Sequence, residues 1–148
     1  MSFVPDDFAV PRELVADGFL LEPLGPEHNE ADHAAWSSSI EHIRATPGYP
    51  DGRWPREMSL EENRADLERH ARDFANRDGF TYTVLDPSDR DVIGCVYVYP
   101  DETGGSDAVV MSWVRATRAA DDGALRELVS GWLADAWPFE RISYAGRA

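Results

Sequence analysis

Residues 108–144 read AVVMSWVRATRAADDGALRELVSGWLADAWPFERISY, and three consecutive segments of this stretch decide the architecture. Ala108 to Arg115 is an apolar run of strand length, with Val109, Met111 and Trp113 on one side and Ala108, Val110, Ser112 and Val114 on the other. Leu125, Leu128, Val129, Trp132, Leu133, Ala136 and Trp137 then recur at i, i+3, i+4, i+7, i+8, i+11 and i+12. So wide a stripe must lie on a sheet, and Pro138 ends the helix that carries it. Phe139 to Tyr144 reads as a closing strand. A strand, helix, strand unit of this kind crosses over with a right hand and pairs its two strands in parallel.

Upstream, the pattern changes to strands in series. Phe80 to Leu85 alternates, Asp86-Pro87-Ser88-Asp89 is turn chemistry, and Val92 to Tyr99 is apolar on both faces as a central strand should be. Thr103-Gly104-Gly105-Ser106 turns the chain back into Ala108. Short turns make these three strands antiparallel neighbours. Before them, Ser59 and Glu62 form a capping box at the head of a helix whose apolar side is Leu60, Leu67, Ala71 and Phe74, with Gly79 expected at its C-cap. Gly25-Pro26 opens an earlier helix carrying Ala31, Ala35, Trp36, Ile40 and Ile43, expected to run unbroken to Pro47-Gly48. Gly18 to Leu24 reads as a strand, and Tyr49 to Met58 as a loop with Arg53 and Trp54. Residues 1–17, interrupted by Pro5 and Pro11, read as an irregular lead-in to one domain over residues 18–148. The expected fold is α/β of the α+β kind. Its central mixed, mostly antiparallel sheet has helices on both faces and the order β-α-α-β-β-β-α-β.

Composition narrows the function. The 148 residues hold 28 acidic and 14 basic side chains, a formal charge of −14, and every basic residue is arginine. Without lysine there is no Schiff-base, Walker or kinase-type lysine. Such an acidic chain is not built for nucleic acid or for anionic membranes, which require clustered cations. A single cysteine, Cys95, cannot close an internal disulfide and is expected to be a buried structural thiol in a reducing, cytoplasmic compartment. His28, His33, His42 and His70 lack metal-ligand spacing, so no metal is expected, and all four are expected at the surface.

In a parallel strand, helix, strand unit, the loop after the first strand aims backbone N–H groups and a helix N-terminus at its ligand. Here that loop is Arg115 to Gly123. The strand end Trp113-Val114-Arg115 and the segment Arg118-x-x-Asp121-x-Gly123-Ala124 resemble the GNAT superfamily of acyl-CoA-dependent N-acyltransferases, whose signature at this place is Q/R-x-x-G-x-G/A. The resemblance spans residues 18–144, and only the six-residue motif is specific. It implies acetyl-CoA as donor, with Trp113, Val114 and Arg115 along the pantetheine arm. Arg118, Ala119, Ala120, Asp122, Gly123 and Ala124 would surround the phosphates. Asp121 stands where the family has its first glycine and brings bulk and negative charge towards the diphosphate, which Arg115 and Arg118 would partly offset.

The family's general base belongs on the strand before this loop, where Ser112 is the one polar side chain among Val109 to Ser112 and could position a water. The family's general-acid tyrosine belongs after the last strand, and Tyr144 is the tyrosine nearest that place, with strand packing as its alternative role. The acceptor, a small-molecule primary amine, would enter between the first helix pair, the Arg53–Trp54 loop and the sheet residues Tyr97 and Tyr99. The opposing reading is a catalytically inactive module of the same fold, without donor binding, that binds a ligand or forms a homodimer.

Overall fold

The computed structural model describes residues 2–49 and 54–145. Its six strands are β1 (Leu14–Ala16), β2 (Phe19–Pro23), β3 (Phe80–Leu85), β4 (Val92–Pro100), β5 (Ala108–Val114) and β6 (Ile142–Tyr144). They lie in one sheet in the order β1-β2-β3-β4-β5-β6. All neighbours are antiparallel except β5 and β6. The helices are α1 (Asn29–Ser37), α2 (Ile40–Arg44), α3 (Leu60–Asn76) and α4 (Asp122–Ala136), with 3-10 turns at Pro26–His28 and Ala116–Asp121. The mixed sheet and its parallel terminal unit are those the sequence predicts.

Each face of the sheet has its own core. On one, Leu125, Val129 and Leu133 of α4 bury against Val96, Val98 and Val110. On the other, Ala35 and Trp36 of α1, Ile43 of α2 and Leu67 of α3 pack on Cys95 and Trp113. No helix among the described residues is long and apolar enough to cross a membrane.

Three local expectations are corrected. The lead-in is not irregular throughout, because Asp17 (φ 53°) and Gly18 (φ 85°) form a two-residue hairpin that pairs Leu14 with Leu21 and Ala16 with Phe19. Asp-Gly is the dipeptide that tolerates left-handed φ at both turn positions. Ahead of it, Val4 is buried, and Arg77 donates to the carbonyls of Pro5 and Phe8 at 2.6 and 2.9 Å. The first helix breaks at Ser38-Ser39, where Ser38 Oγ donates to the carbonyls of Ala34 (2.8 Å) and Ala35 (3.1 Å), offering the chain an alternative to the next helical turn. The left-handed cap of α3 is Arg77 (φ 63°) rather than Gly79. Gly79 is required for a different reason, since a Cβ there would strike the Tyr99 ring.

Candidate active site

β6 pairs with β5 only at Ala108↔Ile142, Val109↔Ser143 and Val110↔Tyr144, and Ala145 N–H adds one bond to the Val110 carbonyl at 3.0 Å. Among the described residues, Met111 to Val114 have no β6 partner on this side. The described β5–β6 pairing thus covers the first half of β5, away from the loop. Ser112 and Tyr144 stand at the end of this pairing, with their hydroxyls 2.6 Å apart and both side chains buried. The Arg126 guanidinium lies 5.2 Å over the Tyr144 ring. Its Nε donates to Asp122 Oδ2 at 2.9 Å and its Nη1 to the Ala145 carbonyl. Arg126 Nη2 and Asp122 Oδ1 are buried with no hydrogen-bond partner.

The loop after β5 is anchored at its start. Arg115 N–H donates to the Ile93 carbonyl (2.8 Å) and Ala116 N–H to Ser39 Oγ (2.8 Å). Arg118 donates from Nε to Asp121 Oδ2 at 2.6 Å and from Nη1 to Asp86 Oδ2 at 3.3 Å. Asp121 first, then Asp86, raises the guanidinium's proton affinity, so Arg118 is fully charged and already paired. Arg115 reaches Asp91 at 3.3 Å. Ala119, Ala120, Gly123 and Ala124 are exposed, and Asp122 opens α4. Trp113 is wholly buried on the α1 side, where its Nε1 donates to Tyr97 Oη at 2.9 Å, while Val114 is buried on the α4 side. Neither side chain therefore faces a ligand at the edge of β5.

On the α1–α3 side of the sheet lies a cavity of about 260 Å³. Its wall is built from the elements expected for an acceptor pocket: Asp32 on α1, Asn63, Asp66, Arg69 and His70 on α3, Trp54, and Tyr97, Tyr99 and Met111 on the sheet. Arg53 lies outside the described residues. Trp54 packs on Trp36, Tyr49 and Trp113 with centroids 5.5, 5.8 and 6.0 Å away. Asp32 is 4% exposed and accepts a 3.2 Å bond from Asn63 Nδ2, whose Oδ1 in turn accepts from Trp36 Nε1 at 3.1 Å. Burial, partly countered by the Asn63 bond, raises the Asp32 carboxyl to about 6.

His70 does not sit free at the surface as expected. Its Nδ1 is 3.0 Å from Thr81 Oγ1 and 3.1 Å from Tyr99 Oη, and burial lowers its imidazole to about 4, so it is neutral. Cys95 is fully buried, and burial pushes its thiol up, which keeps it an unreactive packing residue. Sequence reasoning passed over Asp32, Asn63 and Tyr49. The available signal was polarity inside an apolar stripe: Asp32 precedes buried Ala35 and Trp36 by three and four positions, and Asn63 precedes Leu67 by four.

No protein-family model matches the chain. No curated protein does either. Solved structures do match. The ribosomal-protein-S5-alanine acetyltransferase from Vibrio fischeri superposes with a TM-score of 0.66 at 13% identity, over 89% of this chain and 72% of that one. FdhC, a nucleotide-linked sugar GNAT, gives 0.62 at 12% identity over 91% and 72%. RimL, a ribosomal L7/L12 α-N-protein acetyltransferase in complex with coenzyme A, gives 0.61 at 13% over 80% and 66%. At such identities the likeness is one of backbone architecture, and the fold of this chain is that of the GNAT acetyltransferases.

Proposed function

We propose that the chain is an acyl-CoA-dependent N-acetyltransferase that moves an acetyl group from acetyl-CoA to a primary amine. The observation that carries this reading is the cavity walled by Asp32, Tyr97, Tyr99 and Met111, which reaches β5 beside the end of its described pairing with β6. Main-chain donors and acceptors at the edge of β5 would pair with an extended amide-bearing arm such as pantetheine. The donor fits this chain in part. The main chain of Trp113, Val114 and Arg115 would hold the arm, and the small exposed residues Ala119, Ala120, Gly123 and Ala124 leave room for phosphates at the head of α4. Arg118 and Arg115 would face the diphosphate, Arg118 by exchanging a carboxylate for a phosphate oxygen. Asp122 would stay with Arg126.

In the reaction, the amine nitrogen attacks the thioester carbonyl carbon, the C–S bond breaks, and the amine's proton passes to water. Main-chain N–H groups of β5 polarise the carbonyl. Tyr144 gives its proton to the departing thiolate, and Ser112, bonded to it, holds the hydroxyl in place.

The second reading, a donor-less module of this fold, is favoured by one observation: Arg118 is engaged on both sides by the protein's own carboxylates. A thermal melt with acetyl-CoA decides between them. At 100 times its Kd, a ligand adds about 2.7 kcal/mol of stability, and an unchanged melt at millimolar acetyl-CoA would reject the transferase.

A further inference from the structure

Two polar groups in the cavity wall bear on what it can hold. Asp32 is buried, and among the described residues its carboxylate is hydrogen-bonded only by the neutral amide of Asn63. Tyr49, 6% exposed and lining the same cavity, has a hydroxyl with no hydrogen-bond partner. Arg69, the arginine of this wall, lies 4.0 Å from Asp66 and 3.9 Å from Asp73, and the two histidines that favour the Asp32 anion through space, His28 and His33, hydrogen-bond Glu22 and the Met58 carbonyl. His70, on the same wall, is neutral. A buried carboxylate is costly unless a cation or several donors meet it. The remaining wall is aromatic, from Trp54, Tyr97 and Tyr99, and the faces of such rings attract cations.

We propose that this cavity binds a primary alkylammonium ion, with Asp32 as its counter-ion and the aromatic wall enclosing its hydrocarbon stem. The proposal deepens the acceptor side of the transferase reading and rests on that reading only for what happens to the ligand after binding. An ammonium brings three N–H donors and no acceptor, which matches a wall whose Asp32 carboxylate and unpartnered Tyr49 hydroxyl can both accept. The same wall disfavours a carboxylate ligand, which would meet Asp32 and Asp66.

The test is calorimetric titration of the full chain, without any coenzyme, at pH 8 and 0.15 M salt, using hexylammonium, 1-hexanol and hexanoate as probes. Hexylammonium is expected to bind about tenfold or more tightly than hexanol, and hexanoate to bind worst. Asp32→Asn is expected to bring hexylammonium to within about twofold of hexanol, whereas Asp66→Asn keeps the preference. Equal binding of hexanol, no detectable hexylammonium binding at about 10 mM, or an undiminished preference in Asp32→Asn would overturn the proposal. The ranking of the three probes on the unmodified chain stands even if a variant fails to fold. Ammonium selectivity without an acetyl-CoA melt shift would sink the transferase and keep the cation site; the converse pair of results would do the opposite.

Discussion

Ser112 Oγ and Tyr144 Oη, contributed by the two parallel strands, meet at 2.6 Å at the end of their described pairing. If Tyr144 supplies the thiolate's proton, Tyr144→Phe lowers kcat about 100-fold with little change in the KM for acetyl-CoA. The variant also strands the Ser112 hydroxyl and costs about 1 kcal/mol in a denaturant titration. Unaltered kcat in a thiol-release assay would remove Tyr144 from the chemistry.

Asp121 holds Arg118 at 2.6 Å in the loop expected to receive the diphosphate. Asp121→Gly removes a like charge and releases half of Arg118's pairing, so acetyl-CoA should bind about tenfold or more tightly. Arg118→Ala in the same background should abolish the gain. Titration followed by melting temperature reads both variants.

Asp32 and His70 give opposite pH dependences. The Asp32 carboxyl is raised to about 6 in the folded chain, so the folded state holds this proton more firmly and stability falls as pH rises from about 4 to 6. The imidazole of His70 is lowered to about 4, so its contribution is complete above about 6.5 and is lost as pH falls towards 4. The two slopes oppose one another between about pH 4 and 6. Asp32→Asn removes the falling limb, and its stability should climb through this range and exceed that of the unmodified chain at pH 7 by up to about 3 kcal/mol. Denaturation midpoints at pH 4, 5, 6 and 7 check the sign, and a less stable Asp32→Asn at pH 7 refutes it.

Gly94 sits opposite Val114 at the irregularity in the β3–β4 pairing, and a Cβ there would run into the Trp113 carbonyl oxygen. Backbone cannot yield as a flexible side chain can, so Gly94→Ala should cost about 2–3 kcal/mol, measured by urea unfolding. Gly123→Ala, which meets open space, serves as its comparison and should change stability little.

How much of this was legible beforehand depends on how local each cause is. The capping box at Ser59 and Glu62, the stripe on α4 and the parallel closing unit are short-range patterns, and all three appear in the structure. The Asp17-Gly18 hairpin is equally local, but the three-residue strand before it is too short to show an alternating pattern. The cavity's elements could be named from their order, but its key carboxylate could not. Asp32 matters because Asn63, 31 positions away, fixes one of its oxygens and α3 covers it. The pairing of Arg118 with Asp86 likewise joins two loops 32 residues apart. Such long-range closures follow from how helices and loops settle on the sheet, which periodicity does not encode.

The clasp that Arg77 makes on the Pro5 and Phe8 carbonyls gives the opening ten residues a job. Phe3, Val4 and Phe8 act as a plug driven into the oily seam beside Phe80 and Trp137, and Arg77 is the bolt across it. Shaving residues 2–10 would leave that seam open to solvent, sticky and prone to clumping, even though every strand and helix of the sheet layer would still be encoded.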